Sequence, residues 1–225
     1  MRAAMRYRAL LLDLDGTLVD ASAPIADGIM ALAARHGLSV PDRAWALARI
    51  GFSPHDTWRL LGATDPAALV AEFRANYMAD LPARTTVLPG ALDALTALHG
   101  RGLRMALAST RATDSAVATL AHAGLLPLLE HVLGGDLVAR HKPAPDVILL
   151  ALERLGLEPH EALMVGDTAA DVGAAHAAGL PCWAVLGGTH DEATLRAAGA
   201  DSILSGIAAL PAALDRHAFR ERMTP

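Results

Sequence analysis

YRALLLDLDGTLVD, residues 7–20, opens on an apolar run that stops abruptly at two carboxylates one residue apart, Asp13 and Asp15. Ala9–Leu12 is short and does not alternate, the pattern of a strand covered on both faces of a parallel sheet. Residues two apart on a strand face the same way, so Asp13 and Asp15 are expected to converge where the strand ends. Carboxylates that close repel each other unless a cation or a shared proton intervenes. Gly16 lets the chain turn sharply and bring backbone near a ligand, with Thr17 beside it. The plainer alternative is a solvated acidic turn, and the rest of the chain decides between the two.

Outward from this stretch, residues 21–84 carry helical spacing and no convincing strand. One helix is expected over Ala23–His36, with Ile25, Ile29, Leu32 and Ala33 on one face and Gly37 as its stop. Others open at Pro41, at Ser53-Pro54 and at Asp65-Pro66, the last passing through Leu69, Phe73 and Tyr77. From Val87 onward strands and helices alternate. Strands are expected at Leu103–Ala108, His131–Leu133, Ala162–Val165 and Cys182–Leu186, with helices after Pro89, over Thr113–His122, over Pro145–Leu155 and from Ala169 to Gly179. Weaker signals lie at Ser202–Leu204 and Ile207–Leu214, and the polar tail after His217 reads as frayed. The pattern predicts an α/β protein. Its core is a doubly wound, Rossmann-like parallel sheet, residues 1–19 and 86–225, and residues 20–85 form a small all-helical domain inserted after the first strand. Hinges between the two are expected near Val19–Ala21 and Arg84–Leu88.

Composition excludes several function classes. A net charge of −5 argues against a nucleic-acid surface or a basic membrane-binding face. The opening MRAAMRYRALLL imitates a signal peptide, but Asp13 and Asp15 interrupt it, and no apolar stretch is long enough to span a membrane. The single cysteine, Cys182, cannot form an internal disulfide, which suits a reducing cytoplasm. Arg outnumbers Lys eighteen to one, so the lone Lys142 is expected where a compact ammonium is needed and a planar guanidinium will not serve.

In open parallel sheets, ligands bind beyond the carboxyl ends of the strands. Four of the expected strands lead to Asp13 and Asp15, to Ser109, to Lys142 in the loop HKPAPD, and to Asp167. Each alone has an ordinary explanation: Ser109 as a helix cap, Asp167 and Asp171 as first-turn acids favoured by the helix dipole. Together they gather at one edge of the sheet, and the chemistry that wants this set is phosphoryl transfer. Asp13 is the candidate nucleophile, forming an aspartyl-phosphate. Asp15 is the candidate acid for the leaving alkoxide and later the base for water. Ser109 and Lys142 supply donors to the phosphoryl oxygens, with backbone amides after Asp13, so Gly16 and Thr17 are placed at the substrate. A carboxylate attacking a phosphate dianion also needs a hard cation, for which magnesium is suited. Its candidate ligands are Asp13, Asp15 through its backbone carbonyl, and Asp167. Asp171, one helical turn beyond, is either a direct ligand or a support for one.

DLDGTLVD, Ser109 after an apolar strand, Lys142 in HKPAPD, and GDTAAD resemble the four signature motifs of the haloacid dehalogenase-like hydrolase superfamily, in the right order from Asp13 to Asp171. The helical insertion resembles that superfamily's small helical cap. The stretch from Gly187, GGTHDEATLRAAGAD, is similar to the phosphoglycolate phosphatase and pyrophosphatase branch. The resemblance implies a phosphatase rather than a dehalogenase, because dehalogenases lack the second acid and Asp15 is present. Mutases of the β-phosphoglucomutase type carry a His early in the cap, where Ile25 stands, and a Lys and an Arg around the loop ARIGFSPHD, where Ile50 and Pro54 stand. Phosphonatases need a cap Lys, and the one Lys here belongs to the core.

The expected activity is therefore magnesium-dependent hydrolysis of a small phosphorylated metabolite in the manner of phosphoglycolate phosphatase. Pyrophosphate or a sugar phosphate is the alternative substrate, and a silent binding protein the reading from another class. The cap loop Arg49–His55 is expected to select the substrate: Phe52 as an apolar contact next to Gly51, and Arg49 or His55 meeting an acidic group. Thr110 and Arg111, next to Ser109, either reach the phosphate or merely start the following helix. A monomer or homodimer with no nucleic-acid partner is expected.

Overall fold

The computed structural model describes residues 7–50, 53–77 and 80–223. Strand β1 (Ala9–Leu12) is followed by a two-residue strand β2 (Val19–Asp20) and then by four helices: α1 (Ser22–Arg35), α2 (Arg43–Leu47), α3 (Pro54–Leu60) and α4 (Pro66–Tyr77). The chain returns through β3 (Thr86–Val87). Thereafter it alternates: α5 (Ala91–His99), β4 (Arg104–Ala108), α6 (Thr113–His122), β5 (His131–Leu133), α7 (Asp146–Leu155), β6 (Ala162–Gly166), α8 (Ala169–Ala177), β7 (Cys182–Val185), α9 (Glu192–Ala197), β8 (Ser202–Leu204) and α10 (Leu210–Met223).

Six strands form one parallel sheet in the order β5-β4-β1-β6-β7-β8, with β1 paired to β4 on one side and β6 on the other. The apolar run of β1 is continuous because both of its faces are covered. Leu10 and Leu12 pack with Met105, Leu107, Leu163 and Val165 beneath α5 and α10. Ala9 and Leu11 pack on the opposite face with Ala106, Met164 and residues of α7 and α8. The insertion has a smaller core of its own, built on Ile29, Leu32, Trp58 and Leu69. The α/β architecture expected from the sequence is the one observed.

The differences are local. Val19 and Asp20 pair antiparallel with Val87 and Thr86, so the two segments entering and leaving the insertion are zipped into a short ribbon at the expected hinges. The helix expected to open at Pro41 is confined to Arg43–Leu47, where the Asp42 carboxylate accepts from the Trp45 amide as its N-cap. The tail after His217 is not frayed: α10 continues to Met223. Its middle is anchored by His217, whose ring stacks on Tyr7 at 5.8 Å and meets Trp183 edge-on at 5.3 Å. Such ring contacts fix the helix in spite of its polarity. Helix α9 carries no apolar stripe in sequence and is held by an Asp191 N-cap on Thr194 and by the single buried residue Leu195.

Candidate active site

The carboxyl ends of β1, β4 and β6 meet at the centre of the sheet. Asp13 follows β1 directly, its amide donating to Val165 O at 2.9 Å, so the sheet's own hydrogen bonds set its position. Asp167 follows β6, and Asp171 is the third residue of α8. Asp13, Asp167 and Asp171 are all buried, and each offers a carboxylate oxygen within 4.8 Å of the others.

Lys142 enters this cluster from the loop between β5 and α7. Its Nζ donates to Asp13 Oδ1 at 2.6 Å, to Asp171 Oδ1 at 2.5 Å and to the Ala108 carbonyl at 2.9 Å. Three divergent acceptors use all three ammonium hydrogens, which a planar guanidinium could not do. The lone lysine of the sequence is therefore explained. Burial alone would lower its pKa, but Asp13 and Asp171 outweigh that and hold it raised.

One ammonium does not balance three carboxylates. Burial, offset by Lys142 and reinforced by Asp171 and Asp167, pushes the Asp13 carboxyl well above its ordinary range. Burial and the Asp171 charge push Asp167 up to about 7, against hydrogen bonds from Thr189 and Thr17. Three buried carboxyls sharing one ammonium resist ionising together, and such a set of hard oxygen ligands fits a divalent cation such as magnesium.

Neighbouring residues fix these acids in place. Asp167 Oδ1 accepts from Thr17 Oγ1 at 3.0 Å and Oδ2 from the Thr189 amide at 2.6 Å. Gly16, at φ +83°, and Gly188 press against the same carboxylate, and a Cβ on either would lie 2.2 Å from Oδ2. Asp171 Oδ2 accepts from the Thr168 amide and hydroxyl at 3.0 and 2.6 Å, closing a capping box at the start of α8. The first-turn acid thus caps its helix and holds Lys142 at once.

Asp15 behaves differently from Asp13. Both its oxygens are taken by Arg111, Nε donating to Oδ2 at 3.0 Å and Nη2 to Oδ1. Its carboxylate is not part of the three-acid cluster, and the contribution expected of it toward a metal was the backbone carbonyl. Ser109, buried at the end of β4, accepts from the Arg111 amide at 3.2 Å. Thr17, expected at the substrate, instead holds Asp167.

A cavity of about 730 Å³ lies between the sheet edge and the insertion. Asp15, Thr110, Arg111 and Lys142 line it from below, and Ile29, Arg49, His55 and Phe73 from above. The Arg49 guanidinium lies 5.3 Å from the centre of the Trp45 ring. Gly51 and Phe52 lie outside the described residues. Thr189 acts through its backbone amide, which no side-chain pattern announces. The Gly187-Gly188 pair was the one available sign that this loop approaches an acid.

The geometry finds its counterpart in a known family. Residues 7–179 match the haloacid dehalogenase-like hydrolases. The chain belongs to that family. Phosphoglycolate phosphatase of Rhodospirillum rubrum is 36% identical over 186 residues, 77% of each chain. The plasmid-encoded phosphoglycolate phosphatase of Cupriavidus necator is 35% identical over 214 residues, 92% of each chain. Among solved structures, a haloacid dehalogenase-like hydrolase from Bacteroides fragilis superposes with a TM-score of 0.83 at 31% identity, covering 91% of this chain and 99% of that one. The enzyme class follows: this is a phosphatase of the haloacid dehalogenase-like family. No helix among the described residues is long and apolar enough to cross a membrane.

Proposed function

We propose that the protein hydrolyses a small phosphorylated metabolite, a phosphomonoester of the phosphoglycolate kind, through an aspartyl-phosphate on Asp13. The observation that carries this reading is the buried set of Asp13, Asp167, Asp171 and Lys142 at the carboxyl edge of the sheet, with Asp15, two residues from Asp13, lining the cavity.

Asp13 presents a carboxylate fixed by Lys142, and one of its oxygens attacks phosphorus as the bond to the leaving oxygen breaks. Asp15, protonated on a lone pair that Arg111 leaves open, gives that proton to the leaving oxygen. In the second half, Asp15 takes a proton from water, the water oxygen attacks the aspartyl-phosphate, and Asp13 is released as carboxylate. Lys142 holds Asp13 and lines the cavity, so on binding substrate it would turn one of its three hydrogens from a protein acceptor to a phosphoryl oxygen. Ser109, buried at the end of β4 and not among the residues lining the cavity, would act as the second donor only by the same kind of exchange. Asp13 and Asp167, with Asp171, would hold magnesium, which when bound screens the nucleophile's charge from that of the phosphate. The insertion roofs the cavity and excludes water from the transferring group. As residues 20–85 carry their own core, we read them as a cap domain joined to residues 1–19 and 86–225 by the β2–β3 ribbon.

The reading is tested with a panel of phosphate esters that includes phosphoglycolate, a sugar phosphate and pyrophosphate, assayed with magnesium. Phosphoglycolate is expected among the substrates with the highest kcat/KM. Asp13→Asn is expected to abolish turnover with an unchanged circular dichroism spectrum. A wild type inert toward every ester, or an Asp13→Asn variant with undiminished turnover, would overturn the assignment.

A further inference from the structure

Arg111 follows the second motif and lines the cavity, where a cation next to Ser109 suggests a contact to phosphate. The structure places its guanidinium elsewhere. Nε and Nη2 grip the two oxygens of Asp15, and Nη1 donates to Thr119 Oγ1 at 2.8 Å, two turns along α6. Arg111 and Asp15 are 4% and 11% exposed at their side chains, so the pair is shielded from competing water. The backbone is tied down as well: the Arg111 amide donates to Ser109 Oγ, and its carbonyl accepts from the Gly135 amide at 2.9 Å. Every rotatable part of Arg111 therefore has a fixed partner.

A bidentate guanidinium fixes the plane of a carboxylate as well as its distance. It occupies one lone-pair direction on each oxygen and leaves the others for a substrate or a water. Proton transfer requires the carboxylate to be in hydrogen-bond reach of the leaving oxygen. A freely rotating Asp15 side chain, just before the turn that opens at Gly16, would satisfy that only part of the time. We infer that Arg111 is a positioning residue: anchored on Thr119, it orients Asp15 for proton transfer, and it acts on the reaction through Asp15 rather than by binding the phosphate. This rests on the phosphomonoesterase reading above and adds to it a residue that touches neither phosphorus nor metal.

The test is leaving-group dependence. Glycerol 2-phosphate releases an alkoxide that needs a proton, phenyl phosphate a less basic phenolate, and 4-nitrophenyl phosphate an anion stable without one. None carries a second anionic group for Arg111 to bind. With Arg111→Gln, kcat/KM is expected to fall about 100-fold on glycerol 2-phosphate, the range set by general acid catalysis. It should fall less on phenyl phosphate and least on 4-nitrophenyl phosphate. In an Asp15→Asn background the same change is expected to cost nothing further, because an arginine acting through Asp15 has no other route to the reaction. Equal losses on all three esters, or losses that multiply with Asp15→Asn, would overturn the inference and make Arg111 a phosphate-binding or purely structural residue. Should Arg111→Gln fail to fold, Thr119→Val removes only the anchor. It is expected to show the same ordering of losses at smaller size, and a uniform loss counts against the inference. The wild type's turnover of these esters tests the underlying function separately: if it hydrolyses none, that reading fails and this one with it.

Discussion

Lys142 shows how one residue's chemistry can be read from composition and then explained by geometry. A chain that uses Arg almost everywhere keeps Lys where three acceptors converge from three directions. Removing it leaves buried carboxylates without their cation, a loss of about 3–5 kcal/mol. Lys142→Met is therefore expected to lower the denaturant midpoint markedly, as urea unfolding at neutral pH would show. Gly188 makes the opposite case, a residue defined by what it lacks. A methyl there would meet Asp167 Oδ2 at 2.2 Å and Gly16 O at 2.5 Å. Overpacking of this kind costs about 1–3 kcal/mol, and here it also displaces a candidate metal ligand. Gly188→Ala is expected to lower kcat/KM at least tenfold and to raise the magnesium concentration needed for half-maximal rate, both read from a magnesium titration of the assay.

At the scale of elements, the helices illustrate local and borrowed signals. Ser53 and Pro54 start α3 as the sequence predicts, with Ser53 accepting from the Asp56 amide. Helix α6 has no cap of its own, since Ala112 stands at the N-cap. Its first turn is capped from the turn after β5, where Asp136 Oδ1 accepts from the Thr113 amide at 2.6 Å and from its hydroxyl at 2.8 Å. Burial raises the pKa of Asp136, but the Thr113 bonds, a bond from its own amide and the Arg74 charge together outweigh it and leave the carboxyl below its ordinary value. With a depressed folded-state pKa, the stability Asp136 lends is present above its unfolded value and lost as pH falls through the folded one. Asp136→Ala is expected to cost about 1 kcal/mol at pH 7, the usual worth of a cap. The gap to wild type should close as the melts are taken into strong acid.

For the whole molecule, the central consequence is the charge imbalance in the middle of the sheet. A divalent ion that binds only the folded cluster raises stability by about 2.7 kcal/mol at one hundred times its Kd. For a chain of this size that is several degrees in Tm. Magnesium is expected to raise the Tm, EDTA to reverse the shift, and Asp167→Asn to abolish it, all measurable by scanning calorimetry without substrate.

How much of this was legible beforehand follows from where each signal resides. The strands of the core announced themselves because both faces of the sheet are covered, which leaves an apolar run that needs no partner to be recognised. The helices of the insertion did so by periodicity and by their Ser-Pro and Asp-Pro starts. The sequence by itself determined the α/β order, the inserted helices and the acids and lysine that end the strands, since each depends on neighbours in the chain. Only the tertiary structure decided which of those groups touch. Arg111 takes Asp15, Thr17 and Thr189 take Asp167, and Asp136 caps α6, because each contact joins segments far apart along the chain, where side-chain identity fixes what a group can bond to but not what it meets.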